Sequence, residues 1–524
     1  MVVQDQREQI QFLLQPGAHR LAAGSVVERI DTHSAVIFLA GSNAYKLKRA
    51  VRYDYLDFST ADLRRRACEA EVSLNRRTAP DLYRGVRSVT RATDGHLELD
   101  GRGTPVDWLV HMHRFDNAGL MDRLAVAGQL DIGAMSSLAQ EIARLHDGAE
   151  RVGEPGGRDG MAWVVDGNAR GFSEDGRGVL EQVECEHLVQ LTRRALERAT
   201  PALDRRRHHG FVRRCHGDLH LGNIVMREGR PVLFDAVEFN DLISCIDVLY
   251  DLAFVLMDLW RLTLERHANV LFNAYLSDAC AADADLSQYD GLSLLPLFLS
   301  CRSAIRAKTS AAGSALQVDA RRREALAQQA RQYLHFARQF LETPAPQLVA
   351  IGGHSGSGKS TQARRLASSV GPPPGAVILR SDVLRKALFG VPERTRLGND
   401  AYSPHVTEHV YDLLARRAAA VLAAGHSVIV DAAYERATER ERIADVAVAA
   451  GRPFSGIWLE APVRILTERV TERQGDASDA TAAIVAAQLA RDPGPMRWTV
   501  VDAAGTAERT EAAVTAELGL TRSA

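Results

Sequence analysis

A glycine-rich run from Gly353 to Ser360 has the residue types and the spacing, G-x-x-x-x-G-K-S, of a phosphate-binding loop. It follows an apolar, strand-like segment, LVAIGG, and precedes a helix-like segment, STQARRLAS. In such a loop the backbone N–H groups converge on phosphates, the lysine reaches the β- and γ-phosphates, and the serine hydroxyl binds Mg²⁺. The run therefore predicts a nucleotide site made of Gly353, Ser355, Gly356, Ser357, Gly358, Lys359, Ser360 and Thr361.

Acidic residues follow the next two strand-like segments. Asp382 comes after AVILR, at the end of a strand where open α/β sheets bind ligands, and it is suited to accept a proton from a hydroxyl group. A helix N-cap is the structural alternative for this residue. Arg385 lies one helical turn further on and is placed to hold a phosphate. Asp431 follows VIV and is predicted to orient Mg²⁺ or to bind the substrate.

Three arginines precede a lid-like segment, GDASDAT. They are Arg464, Arg469 and Arg473, and they lie along one predicted helix. Lid arginines neutralise charge on a phosphoryl group during its transfer. We predict this role for Arg469 and Arg473, with a solvent-exposed position as the alternative for each.

The first half of the chain carries a second chemical motif, HGDLHLGN, at 216–223. An Asp followed five positions later by an Asn is the spacing of a kinase catalytic loop, in which the Asp takes the acceptor proton and the Asn holds Mg²⁺. These residues are Asp218 and Asn223. Asp235 ends a predicted hairpin, where kinases keep a second Mg²⁺-binding Asp. A zinc pair at His216 and His220 is the alternative, but no third ligand is evident from the sequence.

A lysine for the nucleotide phosphates lies upstream, in the strand-like run AYKLK. Lys46 and Lys48 both qualify, and the following helix offers Glu69 or Glu71 as a partner. We favour Lys46 with Glu71. No G-x-G-x-x-G loop precedes Lys46, because the corresponding stretch, 31–36, reads DTHSAV.

The pattern of apolar residues divides the chain into two parts. Strand-like runs dominate 26–112 and helical periodicity dominates 120–340, which predicts an α+β fold with a small sheet lobe and a larger helical lobe. Prolines then break the last helix. From residue 348 short apolar strands alternate with helices, which predicts an α/β domain with a parallel sheet. We therefore predict domains at 1–340 and 348–524, joined by a linker at 341–347.

Composition is that of a globular protein without a dominant charge. The chain has 524 residues, a formal net charge of −2 and 46% hydrophobic residues. Its six cysteines form no C-x-x-C pair, and no uncharged apolar run approaches the roughly 20 residues that span a bilayer. We expect a cytoplasmic protein with no membrane partner, and the charge balance does not favour nucleic acid.

The two halves resemble two different kinase groups. The first, with its H-G-D-x-x-x-x-N run, resembles the aminoglycoside-phosphotransferase and choline-kinase-like family, which has a protein-kinase-like fold. That resemblance implies Asp218 as catalytic base, Asn223 and Asp235 as Mg²⁺ ligands, and Asp247 and Asp251 as braces of the helical lobe.

The second half resembles P-loop small-molecule kinases, the group that includes zeta-toxin-like, gluconate-kinase-like and polynucleotide-kinase-like proteins. The resemblance rests on GGHSGSGKS, on the S-D-x-x-R run and on the arginine-bearing lid. It implies Asp382 as general base, Arg385 as a substrate or phosphate clamp, and Arg469 and Arg473 as lid arginines.

Three hypotheses about function follow. The first is a bifunctional, ATP- and Mg²⁺-dependent kinase that phosphorylates hydroxyl groups of small polar molecules such as sugars or aminocyclitols. The second is a P-loop kinase regulated by a catalytically silent, ligand-binding first half. The third is a nucleic-acid 5′-hydroxyl kinase or a nucleotide-sugar kinase. The sequence favours the first, since both halves retain the charged residues that phosphoryl transfer requires.

Overall fold

The computed structural model describes residues 3–22, 24–53, 55–279, 286–472 and 477–520. The chain forms two compact units, and each unit is discontinuous in sequence. Unit 1 comprises Met1–Trp163 and Arg206–Asp258, and unit 2 comprises Val164–Arg205 and Leu259–Ala524. Several helices that lie before residue 341 therefore belong to the same unit as the C-terminal sheet. The boundary between the two units does not coincide with the predicted linker at 341–347.

The main feature of unit 1 is a six-stranded antiparallel sheet in the order β1-β2-β3-β8-β6-β7. Apolar side chains cover both faces, one packing with α1 through Leu13 and the other with α2 through Cys68 and Val72. Helix α2 begins where the Thr60 side chain accepts a hydrogen bond from the Leu63 N–H. The first elements are α1 Arg7–Leu13, β1 Glu28–Asp31, β2 Ala35–Ala40, β3 Asn43–Lys48, β4 Arg52–Tyr53, β5 Leu56–Asp57, α2 Ala61–Asn75, β6 Tyr83–Arg91, β7 Leu97–Leu99 and β8 Thr104–His113.

The rest of unit 1 holds the HGDLHLGN loop between short strands. The hairpin β10–β11 turns through Glu228 and Gly229, which both have positive φ, as a two-residue turn of this type requires. Helix α8 starts in unit 1 directly after β12. The elements are α3 Met121–Val126, α4 Ala134–Asp147, β9 Val212–Arg214, β10 Ile224–Arg227, β11 Arg230–Leu233, α7 Asp241–Ser244, β12 Cys245–Asp247 and α8 Val248–Arg261.

Unit 2 contains long helices and a parallel sheet. Asn269, on one of these helices, donates hydrogen bonds to the carbonyl oxygens of Pro374 and Ala376 (3.0 and 3.1 Å). Ala376 directly precedes the strand Val377–Arg380, which lies at one edge of the sheet. These hydrogen bonds connect the helix Glu265–Ala279 to the sheet. The elements are α5 Gly157–Glu174 and α6 Gln182–His208, which both cross the division between the units, α9 Glu265–Ala279, α10 Ser287–Asp290, α11 Leu295–Leu316 and α12 Ala320–Gln339.

The sheet of unit 2 has five parallel strands in the order β14-β15-β13-β16-β17. Its strands coincide with the five apolar runs of the sequence, and the central strand, β13, is buried along its whole length. The elements are β13 Leu348–Gly353, α13 Lys359–Leu366, β14 Val377–Arg380, α14 Ser381–Leu388, α15 Pro404–Ala423, β15 Val428–Asp431, α16 Ala437–Ala449, β16 Phe454–Glu460, α17 Val463–Glu472, α18 Ala482–Leu489, β17 Thr499–Asp502 and α19 Ala507–Glu517.

Within the described residues, every helix is too short or too polar to cross a lipid bilayer.

Candidate active sites

Strand periodicity places the two candidate lysines of unit 1 on the same face of the sheet. Ala44 packs toward α2, so Lys46 and Lys48, two and four residues later, face that helix as well. Glu71 lies on the inner side of α2 and is fully buried. It receives the ammonium groups of Lys46 at 3.0 Å and of Lys48 at 2.6 Å. The other candidate, Glu69, pairs instead with Arg65.

Each of the two lysines also pairs with a second carboxylate, so that positive and negative side chains alternate. Lys46 also contacts Asp235 at 2.5 Å, and Lys48 contacts Glu238 at 2.5 Å. Burial opposes the charge on Lys46, but attraction by Asp235 and Glu71 outweighs it and raises the pKa of Lys46 well above its usual value. For Glu71 burial is likewise outweighed, and the two lysines lower its pKa to about 2. These shifts favour the charged forms of Lys46 and Glu71, whereas burial raises the pKa of Glu238.

Asp218 and Asn223 meet within the HGDLHLGN loop. The Asn223 amide donates to the Asp218 backbone carbonyl at 2.9 Å and to its carboxylate at 3.1 Å. Asp251, on α8, fixes this loop because its carboxylate accepts hydrogen bonds from the backbone N–H groups of His216 and Gly217 at 3.0 and 2.9 Å. A side chain at Gly217, where φ is +84°, would start 3.0 Å from the Ile243 carbonyl oxygen, so the loop requires glycine there.

Asp235 lies directly after the hairpin β10–β11, as the sequence predicts. Its φ of +62° is unusual for a residue other than glycine, and its backbone N–H donates to the Tyr83 hydroxyl at 3.1 Å. The structure thus places the carboxylates of Glu71 and Asp235 in direct contact with the Lys46 ammonium group. Carboxylate and amide oxygens are the ligands that Mg²⁺ prefers, so the donor set of Asn223 and Asp235 fits that ion.

The zinc alternative at His216 and His220 finds no support in the contacts. The His216 ring bonds the Phe234 carbonyl at 2.9 Å. Among the described residues, the one group of three suitable metal ligands is His146, Cys215 and Asp251. Both carboxylate oxygens of Asp251 already accept backbone N–H groups of the HGDLHLGN loop, so Asp251 serves to hold that loop.

In unit 2 the glycine-rich run joins β13 to α13. Gly353, Gly356 and Gly358 have φ of +138°, +85° and +92°. A side chain at Gly356 would lie 2.5 Å from the Leu466 carbonyl oxygen, so the loop can pack there only as glycine. The Lys359 ammonium group donates to the His354 carbonyl at 3.0 Å, and the Ser355 N–H donates to Gln488 at 2.9 Å. Ser357 is buried, and Thr361 is exposed in the first turn of α13.

Asp431 ends β15 beside this loop. Its carboxylate accepts the Ser360 hydroxyl at 2.5 Å, and Arg380 approaches the same oxygen at 3.3 Å. Because β14 and β15 are parallel and in register at Arg380 and Asp431, their ends present these side chains at one edge of the sheet. The hydroxyl and carboxylate oxygens of Ser360 and Asp431 fit a magnesium ion.

Asp382 and Arg385 lie in α14, immediately after β14. The N-cap alternative for Asp382 is wrong, because Arg380 holds that position and Asp382 belongs to the first turn. Burial and the nearby Asp431 raise the pKa of Asp382, while Arg380 and Lys359 act against this shift. A carboxylate with a raised pKa is a stronger base, which suits proton abstraction.

Arg385 is buried, with a relative exposure of 5%. Its guanidinium donates to the Ala401 carbonyl at 2.6 Å and lies 4.8 Å from the centre of the Tyr402 ring. Among the described residues, its Nε has no hydrogen-bond partner. Burial lowers the pKa of Arg385, and attraction by the Asp382 carboxylate acts against this shift.

The predicted lid arginines have different positions. Arg464 is exposed and pairs with Glu468. Arg469 donates to the carbonyl oxygens of Ala503 and Gly505 at 2.8 Å each, and its described contacts include no residue of the glycine-rich run. Its lid role therefore stays a prediction. Arg473 lies outside the described residues.

Sequence reasoning missed four polar residues at these sites: Arg380, Glu238, Lys386 and Asp479. Asp479 accepts hydrogen bonds from Lys386 at 2.8 Å and from the Tyr402 hydroxyl at 2.7 Å, so it joins the lid-like segment to α14. Arg380 ends a strand directly before Asp382, and that position was a usable signal. Glu238 and Asp479 follow segments with no periodicity, and the sequence carried no signal for them.

Two family models match the chain, one in each half. Residues 109–292 match the family model described as "Phosphotransferase enzyme family", and residues 348–495 match the one described as "AAA domain". The chain is 30% identical over 511 residues to the uncharacterized proteins Rv2004c of Mycobacterium tuberculosis and Mb2027c of Mycobacterium bovis, covering 94% of this chain and 95% of each relative.

Solved structures resemble each half separately. A gluconokinase from Sinorhizobium meliloti 1021 matches 33% of this chain and 92% of its own, with 22% identity and a TM-score of 0.25. A choline/ethanolamine kinase family protein from Mesorhizobium loti matches 63% of this chain and 96% of its own, with 14% identity and a TM-score of 0.39. The predicted fold class, a kinase-like first half and a P-loop second half, is confirmed, and so is an ATP-dependent phosphotransferase.

Proposed function

The chain belongs to the family that includes Rv2004c of Mycobacterium tuberculosis, and from this premise we propose that it is bifunctional, with one phosphoryl-transfer site in each half. The observation that carries the proposal is that each half has a candidate base, a lysine and oxygen ligands suited to Mg²⁺. We retain 1–340 and 348–524 as the proposed functional domains. Both sites act on hydroxyl groups of small polar molecules.

At the first site, the Asp218 carboxylate accepts the proton of the acceptor hydroxyl. Lys46 binds the nucleotide phosphates, and to do so it exchanges its 2.5 Å contact with Asp235 for phosphate oxygens. Glu71 keeps the lysine in place during this exchange, because it is buried and holds Lys46 from the other side. Asn223 and Asp235 would hold Mg²⁺.

At the second site, the glycine-rich loop and Lys359 bind the phosphates, and Ser360 and Asp431 would hold Mg²⁺. Asp382 takes the acceptor proton, which its raised pKa favours. Bound Mg²⁺ at either site supplies charge neutralisation on the transferred phosphoryl group. The lid roles of Arg469 and Arg473 belong to this proposal.

The acceptor of the second site carries an anionic group in this proposal. A buried guanidinium is normally hydrogen-bonded to a carboxylate, whereas Arg385 donates to a carbonyl and a hydroxyl, lies over an aromatic ring, and is only attracted by Asp382 from a distance. A carboxylate or phosphate on the acceptor would balance the charge and satisfy Nε. This supports sugar acids or phosphorylated sugars over neutral sugars and aminocyclitols at this site.

The test is ADP release by the full chain, by Asp218→Asn and by Lys359→Ala. The acceptors are neutral sugars, sugar acids, sugar phosphates, aminocyclitols, nucleosides and 5′-hydroxyl oligonucleotides. Each substitution should lower the turnover of a different acceptor, or of successive steps on one acceptor, by at least about 10²-fold.

Other outcomes select the remaining hypotheses. If Lys359→Ala removes all turnover and Asp218→Asn changes nothing, the first half is a regulatory ligand-binding module. Phosphorylation of the oligonucleotide, lost at raised salt, would instead identify a nucleic-acid kinase.

A further inference from the structure

The turn between β1 and β2 occupies the position in sequence where protein kinases carry a glycine-rich loop, ahead of the phosphate-binding lysine. Here it comprises Thr32, His33 and Ser34. The Thr32 N–H donates to the Ala35 carbonyl at 2.9 Å, and the Ala35 N–H donates to the Thr32 hydroxyl at 2.9 Å. The turn is thus closed by its own threonine and does not depend on glycine.

Arg49, which follows β3, fixes this turn to the strand that carries Lys46. Its backbone N–H donates to the Ser34 carbonyl at 2.8 Å, its Nε donates to the Thr32 carbonyl at 2.9 Å, and its guanidinium pairs with Asp31. A glycine-rich loop is mobile, whereas three contacts from one arginine hold both ends of this turn. The position of the residue between them, His33, is therefore defined.

His33 lies near the first site, because the turn that holds it is fixed to the end of β3. Three charged groups act on its exposed ring: Asp218 from the catalytic loop, Lys46 from β3, and Asp235 from the segment after β11. These are the proposed base, the proposed phosphate-binding lysine and a proposed Mg²⁺ ligand. The surrounding protein lowers the pKa of His33, Lys46 acts in the same direction, and the two carboxylates act against it. The ring still offers an N–H donor when it is neutral.

We propose that His33 replaces the glycine-rich loop and donates a hydrogen bond to the terminal phosphates of the nucleotide at the first site. This inference rests on the proposed function of that site. Where a glycine-rich loop uses backbone N–H groups, this turn presents one side chain on a fixed support. The missing glycine signature is then no sign of lost nucleotide binding.

The experiment uses the full chain with Lys359→Ala, which silences the second site, and compares His33→Ala, His33→Gln and His96→Ala. His96 is the matched control, since it is an exposed histidine in another hairpin of the same sheet. Two quantities are measured: the dissociation constant of Mg–ATP, and KM and kcat with the acceptor assigned to the first site.

His33→Ala should weaken Mg–ATP binding and raise KM for ATP about 10- to 100-fold, the range for a hydrogen bond to a charged group. His33→Gln should recover most of this loss because it keeps an N–H donor, and His96→Ala should have no effect. Because His33 is exposed, all variants should unfold at the denaturant concentration of the parent.

Unchanged ATP binding in His33→Ala overturns the inference. Binding without transfer in the parent would refute catalysis at the first site, and the His33 comparison would still decide the role of the turn. If the parent binds no Mg–ATP at all, both proposals fail.

Discussion

The two sites balance their buried cations in opposite ways. In unit 1, Lys46 and Lys48 lie between three carboxylates, those of Glu71, Asp235 and Glu238. In unit 2, Arg385 is also buried, but it donates to a backbone carbonyl and lies over the Tyr402 ring, and Asp382 attracts it without a hydrogen bond between the two side chains. The first site is charge-compensated from within the protein, whereas the second leaves part of the compensation to its ligand.

This difference separates stability from binding. A buried ion pair that loses one partner leaves an uncompensated charge in a medium of low dielectric, and the fold is destabilised. A buried cation without an anionic partner already carries that cost. Removing a cation should therefore destabilise the first site and weaken substrate binding at the second.

The largest expected effect is on the unfolding free energy of Lys48→Met. This substitution leaves Glu71 with one cation and Glu238 with none, although both are buried. We expect the unfolding free energy to fall by about 3–5 kcal/mol, the range for breaking a buried ion pair. Denaturant unfolding monitored by a probe in unit 1 would measure it.

The control for this prediction is the double variant Lys48→Met, Glu238→Gln, which removes the stranded carboxylate and should recover part of the loss. If Lys48→Met costs no more than the roughly 1 kcal/mol of a surface pair, the alternating charges do not stabilise the first site and the comparison fails.

Arg385→Met should produce the reverse pattern. Its stability should stay level or rise, because the substitution removes a buried charge whose hydrogen bonds go to neutral groups. The KM for an anionic acceptor should increase about 10- to 100-fold, since a hydrogen bond to a charged group is lost. Steady-state kinetics in an Asp218→Asn background would isolate the second site.

Arg440 offers a matched control for Arg385. It is also buried in unit 2, but it donates to the carbonyl oxygens of Tyr434, Glu435, Pro493 and Pro495. Arg440→Met should lower stability and leave the KM of the acceptor unchanged. A neutral acceptor that is used equally well by the parent and by Arg385→Met would contradict an anion-selective pocket.

The sequence predicted those parts of both sites that depend on local spacing. Asp218 and Asn223 share one loop, and the glycine-rich run needs only its flanking strand and helix, so motif and context were enough. The two-residue period of β3 puts Lys46 and Lys48 on one face, so it could not choose between them, and both contact Glu71. Glu238 and Asp479 could not be predicted, because tertiary packing brings them to Lys48 and Lys386 from distant, irregular segments.

The grouping of 164–205 and 259–339 with the parallel sheet depends on contacts such as that of Asn269, which have no sequence signature.

The pH dependence of the second site gives a finer test of the same comparison. Asp382 must be ionised to accept a proton, and burial with the nearby Asp431 raises its pKa above the ordinary value. Activity should therefore be full above this raised pKa and fall about tenfold per pH unit below it, starting at a higher pH than for an ordinary Asp. Rates would be measured in the Asp218→Asn background, with fluorescence at each pH to confirm that the chain stays folded.

The infrared carboxylate band that is lost in Asp382→Asn would report the titration of Asp382 directly. If that band titrates at the ordinary value while the rate falls at a higher pH, another group limits the reaction and Asp382 is not its base.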